Sequence, residues 1–239
     1  DFNSFQSQPG WPVVDELRKQ YEVVQISATE PITDELDGMI VALPSSLPQA
    51  EMDNLLAYIK AGNPTLLLVD PLPVSNLSLA PSEESGADVN PFMRNRGPQP
   101  EPKGDINRLM SELGVQWHIQ QIVWDAYNPH PELANLPPEV VFIGWGNNNP
   151  ESFNPRYSAT AGLQELVLLF PGTIEKAPSS PYNFERLVQT GTMSGALHFN
   201  QLVQKSFFGS QLVTQGLSHR PTANEFPVAA HIFGAGEDV

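Results

Sequence analysis

The chain has 239 residues, a formal charge of −15 from 12 Lys plus Arg against 27 Asp plus Glu, and no cysteine. That balance argues against nucleic-acid partners, whose phosphates need a basic surface, and against docking on an anionic membrane face. Without cysteine there are no disulfides, zinc–thiolate or iron–sulfur sites and no cysteine nucleophile, although this alone fixes no compartment.

Residues 1–10 are polar, hold Pro9 and Gly10, and read as a loop. Trp11–Gln20 reads as a helix with Pro12 in its first turn and Val14, Leu17 and Tyr21 on one face. Strand candidates follow at Tyr21–Ile26 and, after Asp37-Gly38, at Met39–Leu43. The stretch Ser46–Pro71 then organises the N-terminal half. Ser46 and Gln49 have capping-box spacing, Met52, Leu55, Leu56 and Ile59 form an apolar stripe, Lys60 lies near the end, and Gly62 closes the helix. Thr65-Leu66-Leu67-Leu68-Val69 is an apolar run without alternation, the pattern of a strand covered on both faces, and Asp70-Pro71 ends it. The order helix, strand, strand, helix, strand implies a parallel sheet with helices on both sides, and a domain of this type starts with one more strand, expected upstream of Asp1.

Pro71–Lys103 changes composition. Seven prolines interrupt Ser, Asn and Glu, as in a mobile connection or a functional loop. Asp105 caps a second helix with Ile106, Leu109, Met110 and Leu113 on its face and Gly114 behind it. Val115–Asp125 is a strand region whose inward phase changes near Gln120 and Gln121, predicting a bulge or break there. Residues 126–138 are loop, Glu139–Ile143 a short strand, and Gly144–Pro155 irregular. Gln164–Phe170, Phe184–Thr190 and Phe226–Phe233 have strand length, and residues 196–213 read as a helix around Phe199, Leu202, Val203 and Phe207. No apolar run reaches the ~20 residues of a membrane span. The N-terminus has no basic region followed by an apolar core, so if the protein is exported or anchored the signals lie outside this chain, whose start at Asp1 without methionine suggests a fragment or a processed product.

The chemistry-bearing residues match no catalytic template. His118, His130, His198, His219 and His231 lie in no HExxH motif and at no metal-site spacing, and His118 and His231 read as structural histidines within strands. Ser194 in Gly191-Thr192-Met193-Ser194-Gly195 misses the nucleophile-elbow spacing and reads as a turn serine. Gly144-Trp145-Gly146 and Gly234-Ala235-Gly236 lack the rest of a dinucleotide fingerprint. Asp70 and Asp125 each end a strand, the place where open α/β sheets bind ligands, or they simply cap the next segment. Asp70, Asn90, Trp124, Asp125 and Trp145 are therefore the ligand-binding candidates, with Trp124 or Trp145 as a stacking surface, and no catalytic residue, metal site or cofactor is expected.

An ordered set of segments resembles a known family. It comprises Tyr21-Glu22-Val23-Val24, the approach from Pro31 to Leu43, the helix Gln49 to Lys60 and Ala61-Gly62-Asn63-Pro64 leading to Asp70-Pro71. It continues with Asn90-Pro91, Leu113-Gly114-Val115, Ile122-Val123-Trp124-Asp125, Leu169-Phe170-Pro171-Gly172, Leu187-Val188-Gln189-Thr190 and Phe226-Pro227-Val228-Ala229 through Gly234. Together these resemble the extracytoplasmic domain of gliding-motility-type (GldG-like) ABC transport auxiliary components, over nearly the whole chain. Asn63 stands where that pattern often has a second glycine, and residues 191–215 lack a match.

The resemblance implies an α/β fold, a mostly parallel sheet flanked by helices, similar to the flavodoxin-like and class I glutamine amidotransferase groups, with a β-rich C-terminal part. Residues 1–239 would form one such domain, with a long Pro-rich loop at 71–103 and a C-terminal sub-lobe at 150–239 as an open alternative. It also implies a non-enzymatic accessory domain outside the cytoplasm, on the periplasmic side. Membrane helices beyond this chain would tether it to the inner membrane, where it works beside an ABC permease and ATPase or contacts the transported substrate. A carbohydrate or small-ligand module using Asp70 and Asp125 is the alternative.

Overall fold

Pro12 fixes the first turn of α1 (Pro12–Leu17) but little else holds this helix. It buries no side chain, Trp11 and Tyr21 stay 55 % and 65 % exposed, and its ion pairs Arg18–Asp15 and Lys19–Glu16 are solvated. A helix this short needs tertiary packing to persist beyond a turn or two, so the expected Trp11–Gln20 span is cut to its proline-primed start. The computed structural model describes residues 11–85, 101–206 and 209–234, so the loop expected at residues 1–10 lies outside them. The Tyr21–Ile26 segment forms no strand among the described residues, and of its side chains only Ile26 reaches the core.

β1 (Met39–Ala42), α2 (Gln49–Lys60) and β2 (Thr65–Leu68) form a parallel crossover, in register from Met39↔Thr65 to Ala42↔Leu68. α2 starts directly after Pro48 without a side-chain cap. The Ser46–Gln49 capping box does not form. Ser46 sits in a 3-10 turn and its hydroxyl donates to Leu43 O at 2.8 Å. The Gln49 amide instead donates to Asp53 Oδ1 at 2.9 Å, and its Oε1 accepts the Asp105 N–H at 2.8 Å, tying the start of α2 to the start of α3 (Ile106–Glu112). Asp105 caps α3 as its sequence predicts, accepting the Arg108 N–H at 3.1 Å, and Gly114 follows with φ +74°. Met52, Leu55 and Tyr58 of α2 pack with Ile106, Leu109 and Met110 of α3 against Met39.

The remaining strands are β3 (Val115–Trp117), β4 (Gln121–Asp125), β5 (Val140–Gly144), β6 (Glu165–Leu169), β7 (Ile174–Lys176), β8 (Asn183–Gln189) and β9 (Ser194–His198). A single helical turn, α4 (Phe199–Leu202), leads into β10 (Val203–Ser206), β11 (Gly209–Leu212) and β12 (Pro227–Phe233). The interruption between β3 and β4 falls at residues 118–120, where the inward phase changes. The helix expected over 196–213 is not present. Most of that stretch is strand, because Phe199, Leu202 and Val203 are buried in succession from one turn and Gly209, at φ +113°, returns the chain as a hairpin; Phe207 lies outside the described residues.

The expected mostly parallel, helix-flanked sheet of flavodoxin-like or class I glutamine amidotransferase-like type is overturned. Among the described residues there are six two-stranded sheets, and only β1–β2 is parallel; β3–β7, β4–β9, β5–β6, β8–β12 and β10–β11 are antiparallel. Parallel neighbours need helix-length crossovers, and after α3 the described chain has only the four-residue α4 to offer. Nor is β2 covered on both faces: Leu66 and Leu68 remain 53 % and 46 % exposed while Leu67 packs inward.

The Pro-rich segment also departs from expectation. Leu72 and Ala80 are fully buried, in a cluster with Ile122, Trp124, Phe142, Phe199 and Leu202. The Lys103 ammonium donates to the carbonyls of Ser78, Ala80 and Glu83 at 2.7, 2.7 and 2.9 Å, and the Lys103 N–H donates to Ser85 Oγ at 2.9 Å. Ser85 and Lys103 thus pin the two arms of the segment together, while residues 86–100 lie outside the described set. Leu72→Ala is expected to lower the free energy of unfolding by about 2–5 kcal/mol, as truncation in a packed core does. A urea titration checks this, since a leucine in a solvated loop would cost about 0.5 kcal/mol or less.

Candidate functional site

Asp125 is the last residue of β4 and only 2 % exposed. Its Oδ1 accepts the Tyr127 N–H at 2.9 Å and its Oδ2 accepts the Gly191 N–H at 2.7 Å, joining the loop after β4 to the turn between β8 and β9. Gly191 is obligatory there, because a Cβ would lie 2.2 Å from Asn147 O. Asn147 is itself buried: its Oδ1 accepts from the Asn149 N–H and the Ser152 hydroxyl, while Nδ2 has no hydrogen-bond partner among the described residues. Gly144-Trp145-Gly146 has a packing role as well, since a Cβ on Gly146 would meet the Tyr127 hydroxyl at 2.8 Å. The glycines flanking Trp145 let the turn after β5 close on Tyr127, and Trp145 stays 56 % exposed, edge-on to Phe153 at 6.2 Å.

A cavity of about 260 Å³ adjoins this junction, lined by Asp125, Tyr127, Asn128, His130, Leu136 and Val140 among others. At its rim the His130 Nε2 lies 2.9 Å from Glu165, and Nδ1 lies 3.8 Å from Glu132. Behind it, Glu139 is fully buried with Oε1 2.7 Å from the His219 Nε2, and His219 stands edge-on to Trp124 at 4.9 Å.

Of the sequence candidates, Asp125 holds the Tyr127 N–H, and the turn that carries Trp145 packs on the Tyr127 ring at Gly146. Trp124 lies directly beneath, only 2 % exposed, and Gly195 packs on its indole, so it offers no ring face to a ligand. Asp70 belongs elsewhere. It follows β2, which pairs only with β1 among the described residues, and its Oδ1 accepts the Leu72 N–H at 2.8 Å. Asn90 lies outside the described residues. Ser194 is fully buried at the start of β9, donating to Gly191 O at 2.6 Å, and is no exposed nucleophile. The pairs His130–Glu165 and His219–Glu139 are invisible to sequence reasoning, because partners 35 and 80 residues apart leave no local pattern. Among the described residues no three or more acidic or histidine side chains converge as a metal site would require.

A family model described as "ABC-type uncharacterized transport system" matches residues 2–236, and the chain belongs to that family, as an auxiliary component of an ABC-type transport system. No curated protein and no solved structure matches the chain.

Burial pushes the carboxyls of Asp125 and Asp70 above the ordinary aspartate range, opposed by the backbone N–H groups they accept. A carboxyl that binds its proton more tightly when folded contributes stability that is fully present below the unfolded value of 3.8 and is lost as pH rises through the folded value. Asparagine at position 125 keeps one acceptor but turns an N–H₂ donor on the other N–H. Asp125→Asn should therefore cost about 1–3 kcal/mol in denaturant titrations. The gap to the wild type should narrow as pH rises from 3.8.

Proposed function

We propose that the chain is a non-catalytic, extracytoplasmic accessory domain of an export or gliding-motility ABC system. On this reading it acts through contacts with the permease and ATPase subunits or with transported material, and membrane helices outside this chain anchor it to the inner membrane. The observation that carries the reading is the family match across residues 2–236. Its polar groups support a contact role rather than chemistry, since both strand-end aspartates hold backbone N–H groups and Ser194 is internally bonded. Among the described residues no helix is long and apolar enough to cross a membrane. The test is affinity purification of the natural full-length protein from detergent-solubilised membranes, with protease added to intact spheroplasts. Co-purification of an ABC permease and ATPase, together with digestion of this domain from the outer side, is expected. A soluble full-length product, or one purified without those subunits, removes the reading.

A carbohydrate or small-ligand role is the second reading, favoured by the cavity at Asp125 and the exposed Trp145 that Tyr127 links to it. Glycan and metabolite titrations should quench Trp145 fluorescence and raise the melting temperature, and both responses should vanish in Trp145→Ala. Uniformly absent shifts across the panel eliminate this role.

A further inference from the structure

β6 is an edge strand with its backbone open to a partner. In the antiparallel β5–β6 pair, the Phe170 N–H donates to Glu139 O at 2.8 Å, which makes 139/170 a hydrogen-bonded pair. Hydrogen-bonded and non-bonded pairs alternate in such a ladder, so Leu166 and Leu168 direct their N–H and C=O groups to β5. Glu165, Val167 and Leu169 direct theirs away from it, and among the described residues no strand takes them. The side chains agree with the backbone. Val167 and Leu169 are 44 % and 57 % exposed, whereas Leu166 and Leu168 pack inward.

Exposed edges are normally blunted by lysine, proline or a bulge. β12 carries bulges next to Pro227, and β7 and β10 carry Lys176 and Lys205. β6 reads Glu-Leu-Val-Leu-Leu and carries none of these devices. Its one charged side chain, Glu165, sits with Glu132 on either side of His130, so this end of the edge carries two carboxyl groups against one imidazole.

We propose that β6 is a β-augmentation site that accepts one extended strand from a partner protein, with apolar residues facing Val167 and Leu169 and a Lys or Arg facing Glu165. This rests on the protein-contact reading above and names the partner's chemistry. A second copy of the chain fits poorly. Two β6 edges paired about a two-fold axis at Val167 would set each Glu165 across from a Leu169 with no cation, between molecules that each carry a charge of −15. Main-chain bonds would supply affinity, and the apolar, apolar, cationic order would supply specificity.

The probe is the peptide Thr-Val-Thr-Val-Thr-Lys-Thr, compared with a version carrying Glu for Lys, on the isotope-labelled chain. In the free protein, amide exchange should be fast at Val167 and Leu169 and slow at Leu166 and Leu168. The Lys peptide should protect Val167 and Leu169 saturably, and the Glu peptide should bind about tenfold more weakly or worse. Val167→Pro removes an outward N–H where an edge tolerates proline, and Val167→Lys adds an edge charge without touching the β5 ladder; each should weaken binding about tenfold or more. The proposal is overturned by absent saturable binding, by protection elsewhere, by equal affinity for the two peptides, by variants that bind like the wild type, or by a homodimer that Val167→Lys dissolves. If Val167→Lys still co-purifies with the ABC subunits, the edge assignment fails and the accessory reading stands. If the wild type never co-purifies with them, the accessory reading itself fails.

Discussion

The Asp125 carboxylate accepts N–H groups from Tyr127, two residues on, and from Gly191, 66 residues on, and much of the strand-rich half is arranged around that double acceptance. It fixes the turn between β8 and β9 against the end of β4. Gly191 in turn lies under the backbone of Asn147, so the turn after β5 is set by the same contact. Ser194 and Thr190 extend the network, with the Ser194 hydroxyl 2.9 Å from Asn224 O and the Phe226 N–H donating to Thr190 Oγ1 at 2.9 Å, which seats the approach to β12. A buried carboxylate is costly unless its lone pairs are taken up, and here backbone donors do that without a counter-ion.

Elements whose signal is local were legible in the sequence. The apolar stripes of α2 and α3, the Asp105 cap, the interruption before β4 and the strand segments at β4, β5, β6, β8 and β12 come from periodicity and turn chemistry within a few residues. The partner of each strand was not legible. Leu66-Leu67-Leu68 reads the same whether a sheet is covered on one face or two, and only the exposure of Leu66 and Leu68 separates the cases. Proline content misled at Leu72 and Ala80, where composition suggests a solvated connection but two apolar side chains and the triple carbonyl capture by Lys103 hold the chain to the core. At the site, Asp125 was legible as a strand end and Trp145 as an exposed aromatic. The burial of Trp124 was not, since it follows from Gly195 on the facing strand.

An acidic chain has few cations to spend on its interior. Glu139 and Glu83 are 0 % and 4 % exposed, and among the described residues each is met by one basic partner, His219 and Lys205 respectively, leaving one carboxylate oxygen of each without a hydrogen bond there. Breaking such a pair leaves a buried charge and costs more than the pair contributes. These contacts therefore act as constraints on chain path. Lys205 holds the β10–β11 hairpin to the segment after Ala80, and His219 holds the strap before β12 against β4 and β5.

Fold analogy and family membership separate here. The family assignment rests on the chain from residue 2 to 236, while the parallel, helix-flanked architecture expected alongside it does not appear in the structure. Function has to be argued from what the surface has left over. Side-chain polar groups at the strand ends are consumed internally: Asp70 by Leu72, Asp125 by Tyr127 and Gly191, Ser194 by Gly191 and Asn224. Among the described residues, backbone hydrogen-bonding groups are left without a strand partner along edges such as β6, with apolar side chains beside them. An open edge with apolar side chains beside it is the kind of surface that pairs with an extended polypeptide, and the β-augmentation proposal rests on that chemistry.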